Sequence, residues 1–221
     1  MEAIPGWYGK LPALGDFASR RLPAAFIERW DDWLQRSLTE SRERLGEAWL
    51  EQYLSCPVWR FALMPGVIGP DAWAGVLMPS VDRVGRYFPL TVCTGLPAHA
   101  ALGSSIVAFD GWLARLEPCA LAALDQEKGL DSLESSLQDC PPLPGLDAVG
   151  MDNPAQAFSA LVADQAPAGW LDRISAGLLP ELLRGRSLWW CSDAQGVGAG
   201  LIRPDLPRAE AFTRMLSFRP A

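Results

Sequence analysis

The chain has 221 residues, with 19 Lys and Arg against 26 Asp and Glu and a formal net charge of −7. Hydrophobic residues make up 49% and charged residues 20%, and 20 Gly with 19 Pro fall well short of a low-complexity chain. That excludes a disordered chain, a collagen-like repeat and a small disulfide scaffold, and it argues against nucleic acid as a partner, because phosphate recognition needs clustered Lys and Arg. The stretch richest in arginine, Arg36, Arg42 and Arg44, is interspersed with Glu40, Glu43 and Glu47, the mixed pattern of a solvated helix face.

In chain order, Gly6-Trp7-Tyr8-Gly9-Lys10-Leu11-Pro12 brackets aromatics with Gly and Pro, which suits a strand edge or tight turns. Gly15-Asp16-Phe17 reads as a second turn-to-strand piece. Pro23 opens a long helix, with Phe26, Ile27, Trp30, Trp33, Leu34, Leu38 and Leu45 on one stripe and Glu28, Arg29, Asp32, Arg36 and Glu40 opposite. Gly46 is the expected stop, and Ala48 to Leu54 a second short helix. Strands follow at Val58 to Leu63, Trp73 to Met78 and Leu90 to Thr94. Their short connections favour antiparallel neighbours, since a parallel crossover needs a dozen or more residues.

Ile106, Phe109, Trp112, Leu113 and Leu116 share a helical face, which Pro118 is expected to break or restart. Leu130 to Leu137 is a further amphipathic stretch. Cys140-Pro141-Pro142-Leu143-Pro144-Gly145 is the most loop-like segment. Asn153-Pro154 starts another helix, lined by Phe158, Leu161 and Val162, and Trp170 to Leu183 reads as helical. Ser187 to Cys191 and Gly200 to Ile202 flank a turn containing Asp193, Gly196 and Gly198, a hairpin signal. Arg208 to Leu216 closes the chain as a helix. The expected architecture is one layered α/β domain over residues 1–221, its single sheet gathering strands from both halves and burying helices on each face.

Catalytic chemistry is hard to find. His99 is the one histidine, so a His-dependent triad would have to use it, and a metal site built on several histidines is excluded by count. Gly196-Val197-Gly198-Ala199-Gly200 fails the dinucleotide pattern because Leu201 stands where the last glycine belongs. Neither a G-x-S-x-G elbow nor a phosphate-binding P-loop occurs. The five cysteines, Cys56, Cys93, Cys119, Cys140 and Cys191, include no C-x-x-C pair and read as small hydrophobes in a reducing compartment. No signal peptide and no apolar run long enough to cross a membrane is visible. The expectations are a cytoplasmic protein without cofactor, metal or catalytic residues, not inserted in a membrane. Its oligomeric state is not legible.

One segment concentrates polar groups between two strands: Met78-Pro79-Ser80-Val81-Asp82-Arg83-Val84-Gly85-Arg86-Tyr87-Phe88-Pro89-Leu90. Arginine presents a rigid donor fork suited to carboxylate or phosphate. Two readings follow. Either the loop offers Arg83 and Arg86 to an acidic or phosphorylated group, or Asp82 pairs with an arginine and pins the loop over the sheet edge while Tyr87 and Phe88 drop into the core. Lys10, Asp16 and Arg20 in the first segment invite the same two readings. Lys10, Asp16, Ser80, Asp82, Arg83 and Arg86 are the candidate interaction residues.

These same segments carry a family resemblance. Gly6 to Pro12, Gly15-Asp16-Phe17, Trp30-Asp31-Asp32-Trp33-Leu34-Gln35, Pro57-Val58-Trp59-Arg60-Phe61 and Gly75 to Leu90 closely resemble the TagF family of bacterial type VI secretion. The resemblance spans about the first 95 residues, and Ser187-Leu188-Trp189-Trp190 fits more loosely. It implies a three-layer α/β/α sandwich with a mixed or largely antiparallel central sheet. It implies a cytoplasmic accessory protein and not an enzyme, a post-translational negative regulator that binds and sequesters the machine's forkhead-associated scaffold protein. Some relatives carry a fused protein-phosphatase domain, whose metal-binding aspartate motifs are not seen in this chain. The family supplies no catalytic residues to carry across. Two alternatives stand beside this reading: a phosphohydrolase-like enzyme in the same phosphorylation pathway, using Asp82, Arg83 and Arg86, or a structural subunit of the secretion machine.

Overall fold

The structure is a computed structural model that describes residues 4–96, 106–144, 182–192 and 198–219. The helix expected from Asn153, nearly all of that expected over Trp170 to Leu183, His99, and the Asp193 and Gly196 turn positions lie outside the described residues.

Among the described residues, seven strands form one sheet in the order β2-β1-β5-β4-β3-β6-β7. They are β1 (Gly6–Gly9), β2 (Ala18–Arg20), β3 (Trp59–Leu63), β4 (Trp73–Met78), β5 (Leu90–Gly95), β6 (Arg186–Ser192) and β7 (Gly198–Pro204). Every strand pairing is antiparallel. β1 lies inside the sheet, between β2 and β5, and is not an edge. The two halves of the chain meet where β3 pairs with β6, with Phe61 opposite Trp189.

Helices cover both faces. α1 (Ala24–Leu45), α2 (Trp49–Leu54) and α5 (Glu210–Ser217) pack on one side, and α3 (Ile106–Ala122) and α4 (Gly129–Gln138) on the other. The strands obey the two-residue period of a sheet with both faces buried. Trp59, Phe61 and Leu63 of β3 point to the α1 side, and Ala62 points to the α3 side. Tyr8, Leu77, Cys93 and Trp189 join the first layer, and Trp7, Val76, Val92 and Leu90 the second. The three-layer α/β/α arrangement expected from the sequence is therefore present, and the sheet is antiparallel rather than mixed.

The α1 layer is an aromatic box. Trp30 is fully buried, with ring centroids of Trp33 at 4.6 Å, Phe61 at 5.1 Å, Phe26 at 5.5 Å and Trp189 at 6.1 Å. Its indole N–H donates to Thr91 Oγ1 at 2.8 Å, so the polar end of the ring is satisfied inside the core. α1 begins after Pro23, which supplies an extended backbone at the cap position, and ends where Gly46 adopts a left-handed φ of 52°. Trp49 of α2 lies under the guanidinium of Arg42, 4.2 Å away, which ties the second helix back to the end of the first.

Two sequence expectations need correction. α3 does not break at Pro118; it runs through it to Ala122. Phe109, Trp112, Leu113, Leu116, Cys119 and Ala120 are buried on both sides of the proline, and this burial outweighs the missing backbone hydrogen bond. Gly198 belongs to β7, not to the turn, and pairs with Ser192. A Cβ there would sit 1.8 Å from the Cys191 carbonyl oxygen, so the close approach of the two strands needs glycine.

Candidate functional site

The polar segment between β4 and β5 folds back on itself at the edge of the α1 layer. Val81 bridges Tyr87, the Asp82 N–H donates to Arg86 O, and the Gly85 N–H donates to Asp82 O, with Gly85 at φ 84° completing the reversal. The loop is anchored below by Ser80. Tyr53 of α2 donates its hydroxyl to Ser80 O at 2.8 Å and accepts the Ser80 N–H at 3.0 Å, and Ser80 Oγ donates to Lys10 O at 2.7 Å.

Asp82 is the hub. Its side chain is fully buried. Oδ1 accepts the backbone N–H groups of Val84 at 3.0 Å and Arg86 at 2.8 Å. Oδ2 accepts Arg86 Nε at 2.7 Å and lies 3.1 Å from Lys10 Nζ. Burial pushes the Asp82 carboxyl up, but the Arg86 backbone N–H and guanidinium together with the Lys10 ammonium prevail and hold it well below the usual carboxylate range. Its acceptor sites are filled, so it stays ionised and has no lone pair to offer a substrate proton.

The arms of this hub reach into the first segment. Arg86 Nη2 donates to Gly15 O at 2.6 Å and lies 3.8 Å from Asp16 Oδ1. Asp16 is largely exposed and caps the Phe17 N–H at 2.8 Å. The Arg83 N–H donates to Leu14 O at 2.9 Å, while the Arg83 side chain stays exposed and makes no ion pair among the described residues. Lys10 Nζ stands 4.8 Å over the Phe17 ring. Phe17 packs on Phe88 at 4.7 Å and stacks on Tyr8 at 5.9 Å, and Tyr8 donates its hydroxyl to Asp31 of α1. Phe88 is buried and Tyr87 packs against Trp49 and Tyr53.

Lys10, Asp16, Ser80, Asp82 and Arg86 are thus brought together, and they bond chiefly to one another and to backbone. Arg83 belongs to the same loop but turns outward. Arg20 is elsewhere: it pairs with Glu134 of α4 at 3.1 Å, beside Arg21 at 2.8 Å and the Trp7 indole N–H at 2.6 Å.

Two ionic clusters escaped the sequence reading. One is Glu134 with Arg20, Arg21 and Trp7, which clamps α4 to the β1–β2 hairpin. The other is Arg60, buried on the α3 side, which donates to Glu117 at 2.6 Å and Asp110 at 2.7 Å, while Trp190 also donates to Asp110. Asp110 and Glu117 lie seven apart in sequence, two turns along one face of a helix, and that spacing was the available signal. Among the described residues, no group of three or more His, Cys, Asp or Glu side chains is placed to hold a metal ion. No described helix is long and apolar enough to cross a membrane.

The pattern these contacts produce has relatives. The profile of the TagF N-terminal domain, type VI secretion system-associated, matches residues 6–140. The chain belongs to the TagF N-terminal domain family. Its fold also matches the crystal structure of PA0076 from Pseudomonas aeruginosa PAO1, solved at 2.05 Å, with a TM-score of 0.77 and 39% identity over 96% of this chain and 94% of that one. No curated protein matches the chain in sequence. The TagF match takes in the whole Lys10, Asp82 and Arg86 network, both layers of helices through α4, and the β3 strand on which the second half of the sheet is built.

Proposed function

We propose that this TagF-family protein is a cytoplasmic accessory protein of a type VI secretion machine, which represses the machine after translation by binding and sequestering its forkhead-associated scaffold protein. The observation that carries the reading is the inward use of the family motif. Lys10 and Arg86 both turn onto the Asp82 carboxylate, and aromatic rings occupy the space beside them. Such a hub fixes the shape of a surface; it does not leave an acid and a base facing an open cleft, which chemistry would need. What remains outward, Arg83, Val84 and Phe17, is a small mixed rim of the kind that contributes anchors to a protein interface.

The mechanism is occupancy. A scaffold molecule held by this protein is unavailable for assembly, so repression scales with the ratio of repressor to scaffold and needs no turnover. The test is affinity capture of the scaffold from cells that express both proteins, alongside secretion measured with and without the gene. Retention of the scaffold and overactive secretion on deletion support the proposal. Failure to retain an expressed scaffold, with secretion unchanged on deletion, refutes it. Purified protein that hydrolyses a phosphoester and loses that activity on Arg83→Ala points to an enzyme instead.

A further inference from the structure

The chain is acidic, yet one hollow among the described residues is lined chiefly by cations. A cavity of about 600 Å³ opens between β7 and α5, and Arg44, Arg203, Arg208 and Arg214 stand in its wall against a single acid, Glu210. The four arginines come from separate elements: the last turn of α1, the outer strand of the sheet, the connection that follows it, and α5. Glu210 is paired with Arg214 at 2.6 Å. Arg44, Arg203 and Arg208 make no ion pair among the described residues. Three arginines without an ion pair among the described residues thus line one hollow, and a wall of that charge attracts an anion.

The hollow is not suited to a bare anion. Its floor is apolar, built from Trp59, Leu201, Met215 and Phe218. Beside it runs β7, seven residues long, whose outer edge pairs with no other strand among the described residues. The opposite end of the sheet closes with β2, only three residues long. A short terminal strand is a common protection against unwanted pairing, whereas a long one exposes a row of N–H and C=O groups able to receive an extended chain. Arg203 lies on that long strand, so the main-chain row and the charge row run together.

We infer that the groove between β7 and α5 docks an extended acidic segment of a protein partner, its carboxylates on Arg44, Arg203 and Arg208 and its intervening apolar side chains on Leu201, Met215 and Phe218. Arginine suits this task because its planar fork takes a carboxylate through two parallel hydrogen bonds. The inference rests on the reading that the protein works by holding a partner, and it adds where and by what chemistry. It places the contact away from the Asp82 loop, at the β7 end of the sheet, with Arg44 and Trp59 contributed by the family-matched region.

The test uses the full chain and a fluorescein-labelled peptide of alternating Glu and Val, read by fluorescence anisotropy, with a Gln and Val peptide as the neutral control. The Glu peptide binds at least about tenfold more tightly than the Gln peptide, and the preference fades as salt is raised to about 0.5 M. The double variant Arg203→Glu with Arg208→Glu removes that preference, and Arg203→Gln with Arg208→Gln weakens it while changing the surface less. Both arginines are exposed, so thermal unfolding of the variants stays near that of the parent. No binding of the Glu peptide, equal binding of the two peptides, or binding unchanged in the double variant overturns the inference. So does a requirement for a phosphorylated residue in the peptide, or capture by phosphatidylserine vesicles in place of peptide. Scaffold capture separates this inference from the function itself: a scaffold held equally by parent and double variant defeats the groove and leaves the function standing, whereas peptide binding without scaffold capture does the reverse.

Discussion

Replacing Asp82 with alanine strands two cations. Arg86 is about half exposed, so water takes over much of its hydration and its share of the loss is small. Lys10 is different: its side chain is only 6% exposed, and beyond the Asp82 carboxylate its ammonium faces the Phe17 ring. Removing one member of a buried pair typically costs about 3–5 kcal/mol because the other charge is left without a counter-ion. The Val84 and Arg86 N–H groups lose their acceptor as well. Against a total stability of about 5–15 kcal/mol, this is a large fraction. Followed by tryptophan fluorescence in urea, the midpoint falls by about 1–2 M at a slope of about 2–3 kcal/mol/M. Adding Lys10→Met to Asp82→Ala removes the orphaned charge and recovers a substantial part of the loss, giving a positive coupling in a double-mutant cycle. A loss below about 1 kcal/mol for Asp82→Ala, or a double variant no more stable than the single one, refutes the view that this loop is held by a buried ionic hub.

Three further outcomes follow from the geometry. Burial pushes Glu134 up, but hydrogen bonds from Arg21, Trp7 and Arg20 bring it down to about 2. A carboxyl depressed in the folded state contributes fully above its unfolded value of about 4.3, and that contribution is lost as pH falls from there towards about 2; Glu134→Gln should flatten this part of a stability-against-pH curve measured by urea unfolding. Pro118→Ala restores an N–H to the interior of α3 at an exposed position and should raise stability by about 1–3 kcal/mol, visible as a higher melting temperature; a lower one would mean the proline ring makes contacts that matter more than the missing bond. Burial pushes the Cys56 thiol up to about 12 and the Cys119 thiol up to about 11, so at pH 8 neither forms the reactive thiolate, and mass spectrometry after iodoacetamide should find both unlabelled in the native protein and labelled in denaturant.

Local signals in the chain were readable where one element carries its own instructions. α1 is bounded by Pro23 and Gly46 and striped by Phe26, Trp30, Trp33 and Leu34, and each of those features acts within a turn or two of itself. The segment Val58 to Leu63 reads as a strand from its own residues, but they do not tell which neighbour lies on its far side; that neighbour, β6, comes from beyond residue 185. Pro118 was misread because the rule for proline is local and the packing that overrides it comes from the sheet. Arg60 shows the same limit: an arginine inside a hydrophobic strand is a question, and its answer, Asp110 and Glu117, lies on another element. The motif from Ser80 to Phe88 is legible in the sequence as a dense polar segment, but only contact geometry shows Asp82 turned inward and Arg83 turned out.

The family-profile match ends at residue 140, yet the platform does not. Cutting there would leave Trp59–Leu63, buried at all five positions, as a raw border facing water, and would open a slot beside Trp30 where the Trp189 ring belongs. A fragment chosen by recognisability alone would thus be sticky along its newly made rim. The stretch that matches the family profile takes its last wall from the sequence that follows it.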